Sequence, residues 1–196
     1  APWERRAPDA PLAATLAQEA LLPLARARRD TGIYNVPIAL EFGAAIDPGA
    51  LYEALNAVQA RHEALRMCFP ASSSSPTLRP AAARISVEDD WAGEDGVTAD
   101  LAMRAAVARP FDLAHGPLWR YGIFRPAGRG HVLLFVFHHL IFDGLSRDVF
   151  LSDLAAHYGA SRAPEAAPGD RPYQIGDFAD WERRRAAAAL AEASRV

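Results

Sequence analysis

Across residues 36–42 the side chains alternate, with Val36, Ile38, Leu40 and Phe42 on one side, the period of a strand with one buried face. Residues 118–124 and 132–137 form two apolar runs separated by Pro126, Gly128 and Gly130, which predicts a hairpin of buried strands with a longer loop. A short strand is expected at 65–69 and another across 77–88, with a Ser-rich loop at 71–76 between them. Leu51, Leu55 and Val58 recur at helical spacing up to Arg61, with Asp47 as N-cap and Pro48 at the first helical position. A helix over 14–29 carries Leu16, Leu21, Leu22 and Leu24, and Pro23 is expected to kink it or end its first part. Further helices are expected at 97–108, stopped by Pro110, at 145–158, ended by Gly159, and at 174–194. Residues 1–13 read as an irregular lead-in and 160–172, with three prolines, as a connector. Strands and helices intermingle and hairpins join neighbours. The expected class is therefore α/β in the form of an α+β sandwich, a mixed sheet covered by helices, rather than a Rossmann-type fold.

Composition narrows the function classes. The chain has 196 residues, enough for one domain with a real core, and 51% hydrophobic against 23% charged residues is a globular balance. The net charge is −3 with acids and bases interspersed, so no nucleic-acid-binding face is expected. Cys68 is the one cysteine, which excludes an internal disulfide and a cysteine metal cluster and fits a reducing, cytoplasmic setting. Pro2, Asp9 and Pro11 interrupt any apolar leader, and the longest apolar run, 132–137, is too short for a bilayer, so no membrane partner is expected.

The chemistry concentrates where the second apolar run ends in His138 and His139, followed by Asp143-Gly144 at the entry to a helix. Adjacent strand residues point to opposite faces, so one histidine is expected to face a cleft and the other the interior. There is no GxSxG nucleophile, no phosphate-cradling glycine loop, no CxxC and no paired metal-ligand spacing. His62-Glu63 lacks the second histidine of a zinc helix.

The run His138 to Gly144 resembles the HHxxxDG signature of nonribosomal peptide synthetase condensation domains, within the chloramphenicol-acetyltransferase-like superfamily. Three more stretches resemble the family in the expected order: Arg61 to Arg66 as RHExLR, Phe111 to Leu118 as FDLxxGPL, and Tyr173 with Asp177, Phe178, Ala179 and Trp181. Leu16-Ala17-Gln18 and Tyr34-Asn35 fit its opening. The chain departs from the family's usual residues at Ala20 and Leu22, where an Arg and a bulky aromatic are common, and at Met67, where Thr is usual. Arg147 stands where epimerising relatives carry Trp, and the second Asp of heterocyclising relatives is absent.

The resemblance implies an amino-terminal subdomain spanning 1–196 that lacks the carboxy-terminal subdomain and is inactive without it. It implies amide formation between thioesters held on phosphopantetheine arms of donor and acceptor carrier proteins, with no cofactor or metal bound by the domain itself. The expected partners are those carrier proteins and the carboxy-terminal half. His139 is the expected catalytic residue, either taking the proton from the attacking amine or orienting that amine, and His138 is a weaker candidate with an inward, supporting role. Asp143 is expected to hold the loop through an ion pair with Arg61, or with Arg66 as runner-up, in preference to a plain helix cap. Gly144 is expected to allow close approach of the phosphopantetheine arm or to serve a turn. Asp177 and Trp181 are read as packing and docking residues. Two other functions remain open: a non-catalytic module that binds carrier proteins, and an acyltransferase that uses a soluble acyl thioester.

Overall fold

The alternating stretch forms β1 (Asn35–Phe42), and the two apolar runs form β4 (Trp119–Phe124) and β5 (His131–His138). The computed structural model describes residues 4–7, 10–43, 46–80, 96–126, 128, 130–160 and 172–194. Positions 81–88 of the expected 77–88 strand, 161–171 of the connector and parts of the lead-in lie outside the described residues. The remaining elements are α1 (Leu16–Ala27), α2 (Pro48–Arg61), a 3-10 turn (Glu63–Arg66), β2 (Met67–Cys68), β3 (Thr77–Leu78), α3 (Gly96–Ala108), α4 (Gly144–Ala160) and α5 (Ile175–Ala193).

β5 lies between β1 and β4, antiparallel to both, with Val36 opposite Phe137 and Phe137 opposite Trp119. The central position explains the unbroken apolar run: every residue from Val132 to His138 is buried. β1 lies beside β5 alone among the described strands and alternates, as half-covered strands do. Every pairing among the described residues is antiparallel, β2 with β3 included, so the parallel neighbour that a mixed sheet requires is not among them.

Helices cover both faces. α2 and α4 pack together on the face bearing Phe135 and Phe137, where the Phe150 ring meets both edge-on at centroid distances of 5.1 and 5.0 Å. Asp47 caps α2 and Leu51, Leu55 and Val58 are buried, as the spacing predicted. The opposite face carries Asn35, Arg120 and His138, and α3 lies against it. Asn35 Nδ2 donates to the carbonyls of Val107 and Arg109 at 2.7 and 2.8 Å. The Arg120 guanidinium donates to the carbonyls of Ala106 (2.9 Å), Arg109 and Pro110 at the end of α3, and it lies 3.9 Å above the Phe111 ring. Burial, aided by the nearby Arg109 charge, pulls the Arg120 pKa down to about 9.

Three local expectations change. α1 runs through Pro23, because its buried face, Gln18, Leu22 and Ala25, has members on both sides of the proline, and packing outweighs one missing donor. Leu16 and Leu24 are exposed, so the inward stripe includes a glutamine in place of a leucine. α4 continues past Gly159, its end held where the Asp47 N–H donates to the Tyr158 hydroxyl at 3.1 Å. The strand expected at 65–69 shortens to Met67–Cys68, since Glu63–Arg66 is wound as a 3-10 turn.

Candidate active site

Beyond β5 the chain turns through residues 139–142 before α4 begins, and a turn this buried must satisfy its backbone groups internally. The His138 N–H donates to the Leu118 carbonyl and the His139 N–H to the Tyr34 carbonyl, both at 2.8 Å. The Leu140 N–H donates to His138 Nδ1 at 3.1 Å, and the Ile141 N–H to the His138 carbonyl at 3.0 Å. The Leu140 carbonyl accepts from Gln18 Nε2 at 2.8 Å and the Phe142 carbonyl from His139 Nδ1 at 2.9 Å. The Phe142 ring stacks on Phe137 at 3.9 Å, joining the turn to the core.

His138 points inward, as strand alternation predicted, with Tyr34 and Phe111 beside its ring. Because Nδ1 accepts a hydrogen bond, the ring is neutral and its proton sits on Nε2. Burial, then the nearby His139, lowers its pKa to about 4. Between pH 6.5 and about 4 the unfolded chain therefore binds this proton and the folded chain does not. The His138 contribution to stability is complete above pH 6.5 and declines as the pH falls through that window, by about 3 kcal/mol at most. Urea unfolding from pH 7 to 4 should show wild type losing stability relative to His138→Gln; parallel curves would remove this assignment.

His139 stands at the surface, its N–H on Tyr34 just before β1, and it lines a cavity of about 570 Å³ that α1 also walls, through Ala17, Ala20, Leu21 and Leu24. A carbonyl only accepts, so the bond to Phe142 places the proton on Nδ1 and, in the neutral ring, leaves the Nε2 lone pair unprotonated. A second cavity of about 320 Å³, lined in part by His62, Leu145 and Val149, lies beyond Phe142 and Asp143.

Asp143 corrects the expected ion pair. Its Oδ1 accepts from the Ser146 N–H at 2.8 Å and the Ser146 hydroxyl at 2.6 Å, and its own N–H donates to that hydroxyl at 3.3 Å. This is a reciprocal N-cap of α4. The Ser146 hydrogen bonds hold the carboxyl below its ordinary pKa against the opposing effect of burial. Arg61 is engaged elsewhere, its Nε donating to Asp153 Oδ2 at 2.9 Å, where His62 Nε2 also sits at 2.5 Å. Arg66 reaches the Arg79 carbonyl at 3.0 Å. Asp143→Ala is thus expected to cost about 1 kcal/mol, the value of a cap, with Asp143→Asn retaining most of it by urea unfolding. Gly144 neither has a positive φ nor crowds a neighbour, since a Cβ there meets nothing within 4 Å.

The sequence model of the Condensation domain family matches residues 10–195. The chain belongs to this family. It is 35% identical over 184 residues to one of the linear gramicidin synthase proteins of Brevibacillus parabrevis, covering 89% of this chain and 2% of that protein. It is 34% identical over 186 residues to phosphinothricin tripeptide synthetase PhsC of Streptomyces viridochromogenes, covering 90% and 17%. The X-domain from teicoplanin biosynthesis, solved in complex with OxyB, superposes with a TM-score of 0.80 at 30% identity over 94% of this chain and 40% of that one. The chain thus spans a small fraction of its synthetase relatives and two fifths of the X-domain chain.

In this condensation-domain chain the stretches that carried the resemblance touch one another. The Glu63 carboxylate accepts from the Gly176 N–H at 2.7 Å and pairs with Arg6 at 3.2 Å. The Gln174 amide oxygen accepts from the Glu63 N–H at 2.8 Å, and its nitrogen donates to the Arg61 carbonyl at 3.1 Å. Asp177 accepts from the N–H groups of Arg6 and Gln174, both at 2.8 Å, and so holds the chain's first described residues to the start of α5. Gly176 leaves no room for a side chain, since a Cβ would lie 2.6 Å from Glu63 Oε1. Sequence reasoning gave Glu63, Gln174, Ser146 and Asp153 no role. Ser146, three residues after Asp143, carried a capping signal that pointed to its partner.

Proposed function

We propose that the chain is the histidine-bearing, donor-side half of a condensation site that joins two carrier-bound substrates through an amide bond. The supporting observation is the orientation of His139: Nδ1–H is spent on the Phe142 carbonyl and the Nε2 lone pair is left to accept a proton beside the cavity. The acceptor amine attacks the donor thioester carbonyl, the C–N bond forms, and the C–S bond breaks to release the phosphopantetheine thiol. An α-amine has a pKa of about 7.7–8, so a fraction of roughly a tenth to a sixth is already free and nucleophilic at pH 7. His139 accepts the surplus N–H proton as the tetrahedral intermediate forms and returns it to the departing sulfur. The thioester is already activated, so the reaction consumes no cofactor. His138, neutral and turned inward, supports the turn instead of exchanging protons with substrate. The partners are the two carrier proteins and the carboxy-terminal half, and the reaction takes place in the cytoplasm.

A second reading, a binding module, draws on the X-domain relative, which was solved as a complex with another protein. Single-turnover assays with donor- and acceptor-loaded carriers separate the two. Amide product with the carboxy-terminal half supplied in trans supports catalysis. Carrier binding without product favours the module, and turnover of a soluble acyl thioester in place of a loaded carrier would favour an acyltransferase.

A further inference from the structure

We infer that Gln18 is the positioning residue for His139, a role that goes beyond the proposed condensation site and rests on that reading only for its effect on rate. Gln18 is a polar side chain on the inward stripe of α1 and is 4% exposed. Both polar ends of its amide are used. Oε1 accepts from the Thr15 N–H at 3.0 Å, closing the capping box that starts α1, while Nε2 donates to the Leu140 carbonyl at 2.8 Å and faces Met67 Sδ at 3.8 Å.

Leu140 follows His139 directly. On one side of the histidine its own N–H is anchored to Tyr34, and on the other the Leu140 carbonyl is anchored to Gln18. The 139–140 peptide between them is held by the Leu140 N–H on His138 Nδ1, and Gln18 fixes the peptide that follows, so the start of the turn is pinned and the ring is aimed with Nδ1 on the Phe142 carbonyl. The same amide ties α1 to the turn and so sets the separation between His139 and the Ala17, Ala20, Leu21 and Leu24 wall of the cavity. Without the Nε2 donor, the Leu140 carbonyl is left buried and unpaired, and the turn relieves this by rotating that peptide. The rotation withdraws His139 from its bond to Phe142 and lets the other tautomer form.

Gln18→Glu isolates this role. Glutamate keeps the length and the acceptor for Thr15 but sets a carboxylate oxygen against the Leu140 carbonyl. The 15N shifts of the His139 imidazole should then depart from the Nδ1–H tautomer. With the carboxy-terminal half supplied in trans, kcat should fall on the order of tenfold to a hundredfold, with KM for both carriers unchanged. The ratio of variant to wild-type rate should recover as the pH is lowered, because the protonated Glu side chain again offers a donor; a merely structural loss would not follow that titration. A wild-type tautomer pattern and kcat in Gln18→Glu would overturn the inference. In the wild-type chain one Gln18 side-chain amide proton should exchange slowly with solvent, and exchange at the rate of a free amide would overturn it even if the variant fails to fold. Should His139→Ala condense as fast as wild type, the catalytic reading falls while the tautomer measurement still decides the role of Gln18.

Discussion

Changing His139 to alanine is expected to lower single-turnover condensation by about 10²–10⁴-fold, the range for a side chain that moves a proton in the transition state. The fold should survive the change. His139 is exposed, its backbone N–H to Tyr34 is retained, and the one side-chain bond it loses ends on the Phe142 carbonyl. Equal unfolding midpoints for the two proteins, measured with the rate, attribute the loss to chemistry. A loss of less than about tenfold falls short of that range and assigns His139 to orienting the amine. His138→Ala should behave in the opposite way, with stability falling more than the rate, because that ring is buried and accepts from Leu140.

The largest stability effect is expected at Glu63. Its carboxylate is 1% exposed, and its partners include the Arg6 guanidinium and the Gly176 N–H. Glu63→Ala leaves a largely buried cation without its carboxylate and an N–H without an acceptor, at a cost of about 3–5 kcal/mol. Glu63→Gln keeps an oxygen for Gly176 and loses only the charge, so its cost should be intermediate. Urea unfolding of the two variants decides the matter, and equal losses would mean that the pairing with Arg6 matters more than the hydrogen bond to Gly176.

The parts of the fold governed by local periodicity were legible in the sequence. β1, the β4–β5 hairpin and α2 follow their patterns, and the opposite orientations of His138 and His139 follow from strand alternation. What was not legible was which of several possible partners a polar side chain takes. Asp143 and Arg61 stand near one another in the expected scheme, but Ser146 and Asp153 lie closer to them and carry the chemistry each requires. A three-residue spacing inside a helix start competes well against an ion pair that must be desolvated. Nothing local marks the role of Gln18, whose purpose emerges only when α1 meets a carbonyl 122 residues away.

Arg120 gives the molecule a rule of assembly. Of the carbonyls that end α3, Val107 and Arg109 take a donor from Asn35 on β1, while Ala106 takes its side-chain donor from Arg120 on β4, a strand that follows the helix in sequence. Until β4 docks, the Ala106 carbonyl lacks its guanidinium donor and turns to water, and the last turn of α3 is held less firmly. When β4 arrives, the guanidinium loses its hydration and the helix end gains that donor in a single event. The final turn of α3 and the outer strand are therefore one cooperative unit, opening and closing together when the rest of the domain stays folded.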